Sequence, residues 1–156
     1  DTHLAGAAMD CGAFVELIGD GMHVCDSMIR AAYRIFGAER IVLISDSLFC
    51  AGLPDGHYVK DYCEVDVTDG LARLADGTIN GASANLYMNM VRLTGIGIPA
   101  EDAVRMATYN PACVLGVLDT MGTLECGKMA NFVIADENLE IREVYVRGKR
   151  EYAKCR

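Results

Sequence analysis

Apolar positions along this chain fall into two patterns: unbroken runs that suit buried strands, and stripes at three- and four-residue spacing that suit helices. The first unbroken run covers 14–18 and leads into Gly19, Asp20, Gly21, Met22 and His23. The second covers 41–44 and leads into Ser45 and Asp46. Between them, 27–36 carries Met28, Ile29, Ala32, Ile35 and Phe36 near helical spacing on one face. Two near-continuous apolar runs joined through a helix spell a β-α-β unit with parallel strands. In such sheets functional side chains gather just past the carboxyl ends of the strands. His23 and Asp46 both fall there.

Downstream the pattern changes. Residues 47–56 are rich in small residues and hold Gly52, Pro54, Asp55 and Gly56, which is loop chemistry. The alternation over 58–67 predicts one strand, Asp69-Gly70 a hairpin turn, and 71–74 the returning strand. Asp76-Gly77 repeats the turn before 78–83. Helical spacing over 86–93 is closed by Thr94 and Gly95. Glu101 and Asp102 favour the start of a further helix, expected to run to about Tyr109. Asn110-Pro111 should break it, with a short helix following to Leu115 and Gly116. From Gly122 the chain is turn-rich, with β-like stretches at 132–134 and 141–146. We read residues 1–121 as the α/β core and 122–156 as strands of a smaller β element.

Composition narrows the classes. The 156 residues are 52% hydrophobic and 23% charged, which is globular rather than disordered. A net charge of −8 argues against a nucleic-acid partner, and the basic end over 147–156 is interrupted by Glu151. No apolar run is long enough to span a bilayer, and no signal peptide opens the sequence. The seven cysteines are scattered singly without a CxxC pair, so reduced, mostly buried thiols in a cytoplasmic protein are expected.

The blocks ELIGDGMHV, LISDSLFCAGLPDGHY, GTINGAS, AVRMATYNPACVLG, GTLECGKMANFVIAD and VYVRGK follow one another in an order that carries a resemblance. It is similar to the C-terminal part of the N-acetylglucosamine-6-phosphate deacetylases, a family of the amidohydrolase superfamily, from Ala5 to about Tyr152. The NPA and GTLECGKMANFV blocks suit many amidohydrolases, whereas the first two blocks together are more specific. The resemblance implies the C-terminal portion of a (β/α)8 TIM barrel followed by strands of a small β domain. It further implies a divalent metal ion (zinc or iron), an amino-sugar phosphate substrate and a homodimer.

Residue by residue, the resemblance makes Asp46 the general base toward water and then the general acid toward the leaving amine. Amide cleavage needs a deprotonated nucleophile and later a protonated nitrogen, and one carboxyl can serve both steps. The plainer alternative is a strand-end carboxylate capping the next turn. His23 is implied to contact substrate, orienting the sugar or polarising the acetyl carbonyl; the plainer alternative is a satisfied loop histidine. Asp20 reads as a turn-former, and His57 matches no functional position. Ala82 and Ser83 fall where the family lines its sugar pocket. His3, in Thr2-His3-Leu4, matches a metal-ligating histidine. Leu4 runs directly into residues that match the far side of a phosphate-holding loop, so either a loop is missing there or the His3 match is accidental. The other implied ligands, a glutamate and a histidine, have no counterpart here. Since a catalytic metal takes about three protein ligands, the chain reads as a fragment, inactive alone. Two alternatives stay open: another amidohydrolase acting on an N-acyl sugar or amino acid, and an inactive truncated remnant.

Overall fold

The two apolar runs pair as parallel strands, β1 (Val15–Ile18) and β2 (Ile41–Ile44), in a computed structural model that describes residues 4–82 and 84–154. Ahead of them lies a helix that the hydropathy pattern did not announce, α1 (Leu4–Asp10), which buries none of its residues. The register sets Val15 beside Ile41 and Ile18 beside Ile44, so both strands end level. Helix α2 (Asp26–Phe36) links them, with Asp26 in its first turn and Arg34 in its last, both favourable to the helix dipole. It ends at Gly37, whose φ of +69° suits glycine. Its buried stripe is narrower than the spacing suggested. Ile29 and Phe36 are buried with Ala32 and Tyr33 against them, while Met28 and Ile35 stand 58% and 50% exposed.

Helices α3 (Leu86–Gly95) and α4 (Ala100–Ala107) pack on β2. Asn85 caps α3, its side chain accepting the Met88 N–H at 2.9 Å. Leu17, Ile29, Ile41, Leu43, Leu93, Ile98 and Met106 fill the core between strands and helices. Burying a side chain of this kind contributes about 1.5–3 kcal/mol. Tyr33 reaches across from α2 to donate to the Asp102 carboxylate of α4.

Between β2 and α3 lies an antiparallel sheet in sequence order: β3 (Gly56–Lys60), β4 (Cys63–Thr68), β5 (Leu71–Arg73) and β6 (Ile79–Ala82). The single strand expected over 58–67 is instead a hairpin, folded at Asp61-Tyr62 with Lys60 opposite Cys63. Asp61 adopts φ +54°, which aspartate tolerates better than most residues. The alternation ran through the turn and hid it. Asp69-Gly70 is the turn its sequence announced, both residues at positive φ (+52° and +72°). The Asp55 carboxylate accepts both their amides, at 2.8 and 3.3 Å. Cys50, Val65, Val67 and Ala72 form this sheet's own small core.

The chain divides into two compact units, Asp1–Ala107 and Thr108–Arg156. The second opens with α5 (Tyr109–Val114), followed by an antiparallel meander of β7 (Phe132–Ala135), β8 (Ile141–Val146) and β9 (Lys149–Ala153). The helix break falls at Thr108 and not at Asn110-Pro111. Pro111 sits in the first turn of α5, where its missing N–H has no helical partner to lose. Phe132 and Tyr145 stack at 4.5 Å across β7 and β8. The cysteines depart from expectation: of those described, only Cys50 is buried, while Cys11, Cys25 and Cys126 are exposed, and all are free thiols. Among the described residues, no helix is long and apolar enough to cross a membrane.

Candidate functional site

Because β1 and β2 end on the same rung, Asp20 and Asp46 each stand two residues past it, Ile18 and Ile44 being the last pair. Asp46 turns the chain with φ +49°. Its carbonyl accepts the Ala82 N–H at 2.8 Å, and the Leu48 N–H donates to the Ala82 carbonyl at 3.0 Å. Ser47 thereby bridges Ala82 in parallel, and its Oγ donates to the Ala84 carbonyl at 2.7 Å. Gly81 permits this approach. It sits at φ +64°, and a Cβ there would lie 2.9 Å from the Asp46 carbonyl oxygen. The end of β6 is therefore laid against Asp46, with the Ala82 methyl buried. No described residue hydrogen-bonds the Asp46 carboxylate.

The floor beneath is glycine and asparagine. A Cβ on Gly19 would lie 2.6 Å from Leu93 Cδ1 and 2.9 Å from Leu43 Cδ1, so a larger residue there would push both leucine side chains aside. Asn89, 1% exposed, donates through Nδ2 to the Ile44 carbonyl at 3.2 Å and ties α3 to the end of β2. Gly21 lies under the Arg92 guanidinium, which pairs with Asp26 at 2.5 Å.

Within the loop after β1, Asp20 and His23 form a half-buried pair, their side chains 7% and 18% exposed. Asp20 Oδ1 accepts the Met22 N–H at 2.9 Å and the His23 N–H at 3.0 Å. Asp20 Oδ2 lies 2.7 Å from His23 Nδ1. Burial pushes the Asp20 carboxyl up. The His23 and Met22 amides and the imidazole outweigh burial and hold it below the ordinary carboxylate value. Nearby is a cleft of about 270 Å³ lined by Asp20, Met22, Asp69, Gly70, Ala84 and Met88. Neither His23 nor Asp46 lines it.

The structure thus sets His23 and Asp46 on neighbouring strand ends and joins Asp46 to Ala82 through the backbone. His3 and Ser83 lie outside the described residues. His57 sits apart on β3, exposed, between Asp66 at 2.8 Å and Glu64 at 3.3 Å. Among the described residues, no three His, Cys, Asp or Glu side chains could together hold a metal ion. The described donor set by itself does not fit a catalytic metal, which takes about three protein ligands. Sequence reasoning missed Asn89 and Arg92. Asn89 left a trace as the polar residue among Leu86, Met90 and Leu93 on the apolar stripe of α3. Nothing in the hydropathy pattern singled out Arg92.

Comparison with known proteins decides the family. The amidohydrolase family model matches residues 38–150. The chain belongs to the amidohydrolase family. Relatives within it include an Escherichia coli (strain K12) protein provisionally named N-acetylgalactosamine-6-phosphate deacetylase. It is 38% identical over 150 residues, covering 94% of this amidohydrolase chain and 88% of the relative. N-acetylgalactosamine-6-phosphate deacetylase of Escherichia coli O157:H7 is likewise 38% identical, but there the match covers 39% of the relative. Among solved structures is an aspartate-to-alanine variant of N-acetyl-D-glucosamine-6-phosphate deacetylase from Mycobacterium smegmatis, in complex with N-acetyl-D-glucosamine-6-phosphate. It superposes with TM-score 0.79 at 34% identity, over 88% of this chain and 37% of that one. This amidohydrolase therefore spans well under half of two of these relatives and most of the third.

Proposed function

We propose that this amidohydrolase chain is part of a hexosamine-6-phosphate deacetylase, which hydrolyses the acetamide of N-acetylglucosamine 6-phosphate or of its epimer N-acetylgalactosamine 6-phosphate. The observation that carries the reading is the placement of Asp46 and His23 past the carboxyl ends of adjacent parallel strands, in a chain 38% identical to a relative of that name. In this reading β1 and β2 are the last two strands of a (β/α)8 barrel, and 122–156 contributes to a small β domain.

The Asp46 carboxylate takes a proton from water as the water oxygen bonds to the acetyl carbon. It returns that proton to the amide nitrogen as the C–N bond breaks, giving acetate and the free hexosamine phosphate. Its freedom from described hydrogen-bond donors suits a group that must exchange protons. His23 contacts the substrate, and Ala82 with Ser83 borders the sugar. His3 is the position this sequence offers for a zinc or iron ligand. The intact enzyme is a homodimer in the same reading.

The test is acetate release from both hexosamine phosphates by the native protein, with Zn²⁺ or Fe²⁺ supplied. Asp46→Asn should lower turnover by about 10²–10⁴-fold, the usual weight of general acid–base catalysis. Undiminished turnover would remove Asp46 from the role. Native protein that releases acetate from neither phosphate would overturn the reading.

A further inference from the structure

The sequence marks Asp20 as a turn-former, but the turn accounts for only half of its carboxylate. Both amide contacts that close the loop, from Met22 and His23, go to Oδ1. Oδ2 is given to His23 Nδ1 at 2.7 Å. An asparagine would close the same turn with its one oxygen. We infer that Asp20 is a positioning residue, which fixes the His23 ring through Nδ1 and leaves Nε2 as the nitrogen that meets the ligand. The inference rests on the reading of His23 as a substrate contact.

An ionised carboxylate has no proton to give, so the proton of the bond is on Nδ1. Neutral His23 then carries a lone pair on Nε2, the arrangement a carboxylate commonly imposes on a working imidazole. Asp20 is well suited to holding it, being 7% exposed and anchored by two backbone amides. Gly21, at φ +76°, lies between them under the Arg92 guanidinium. No described residue pairs with Nε2. The consequence for chemistry is specific. In its neutral form His23 accepts a hydrogen bond at Nε2, which suits a sugar hydroxyl; it has no proton there for an acetyl carbonyl. Of the two tasks open to His23, this favours orienting the pyranose.

The test is the tautomer, read by long-range ¹H–¹⁵N correlation of the imidazoles at about pH 9, above the ordinary histidine range. His3→Gln and His57→Gln assign the other two rings. Wild-type His23 should show a protonated Nδ1 and a bare Nε2. Asp20→Asn keeps an oxygen for the two amides but turns an NH₂ toward Nδ1, so the proton should move to Nε2. A residue that only shapes the turn would leave the tautomer unchanged in the asparagine variant. A bare Nδ1 in the wild type would overturn the inference, and that measurement needs no variant to fold. In the native enzyme, Asp20→Asn should lower kcat/KM about 10–100-fold, with little further loss when combined with His23→Gln. Adding either hexosamine phosphate should shift the Nε2 signal. If the tautomer behaves as stated and neither sugar moves Nε2, the positioning stands and the substrate reading falls.

Discussion

The two strand systems of the first unit are held together by different means. The β1–β2 pair with α2, α3 and α4 is a core of large aliphatic side chains, with Ile29, Ile41, Leu93 and Met106 at 0% exposure. The β3–β6 sheet has Cys50, Val65, Val67 and Ala72 inside, and along β3 the pattern is exposed at all but Tyr58. It depends instead on its turns, where Asp61, Asp69 and Gly70 hold positive φ and Asp55 ties down the second hairpin. One region is set by volume, the other by backbone geometry. The candidate site lies on the seam, because Asp46 ends the first system and is hydrogen-bonded to Ala82, the end of the second.

The largest effect should come from the aliphatic side. Leu93→Ala removes a fully buried side chain that packs over Gly19, and should cost about 2–5 kcal/mol in urea denaturation. Val65→Ala, the counterpart in the sheet, removes less volume and should cost about 2 kcal/mol. Equal losses would erase the contrast between the regions. The seam itself is tested by Gly81→Ala, which forces an alanine to φ +64° against the Asp46 carbonyl. About 1–3 kcal/mol is expected from strain and overpacking, with faster amide exchange at Ala82 and Leu48 than elsewhere in the unit. Asn89→Ala should cost about 1–3 kcal/mol, since the Ile44 carbonyl loses a buried donor. A melting temperature unchanged from wild type would show that bond to be replaceable.

Legibility in the sequence divided along the same line. The parallel pair was readable because buried parallel strands are written as continuous apolar runs, and the register then placed Asp20 and Asp46 level. Asp69-Gly70 was readable because positive φ at both turn positions leaves few residue choices. Asp61-Tyr62 was not, since one tolerant aspartate in an alternating stretch gives no punctuation. The breadth of the α2 face was overestimated because spacing counts apolar positions without knowing where a neighbour lies, and no described residue buries Met28 or Ile35. The Asp20–His23 pair shows the remaining limit. Spacing suggested a turn, but only the fold divides the work of the carboxylate between Oδ1 and Oδ2.

The smallest effect tests the turn-dependent region through charge. His57 lies opposite Asp66 in the β3–β4 hairpin, with Glu64 on its other side. The bond to Asp66 raises its pKa above the ordinary histidine value; slight burial opposes this, and the Asp66 and Glu64 charges add to it. A pKa raised on folding means the imidazolium favours the folded hairpin. The contribution is complete below the unfolded value, about 6.5, and fades as pH rises through the higher folded value. Amide exchange in β3 and β4, corrected for the intrinsic rate, should therefore show more protection at about pH 5.5 than at about pH 8.5. The core strands β1 and β2 should not share the difference. Because the pair is exposed, salt should weaken the effect, and His57→Gln should flatten it. A pH dependence that survives His57→Gln would mean that another group, not this cross-strand pair, couples the sheet to protons.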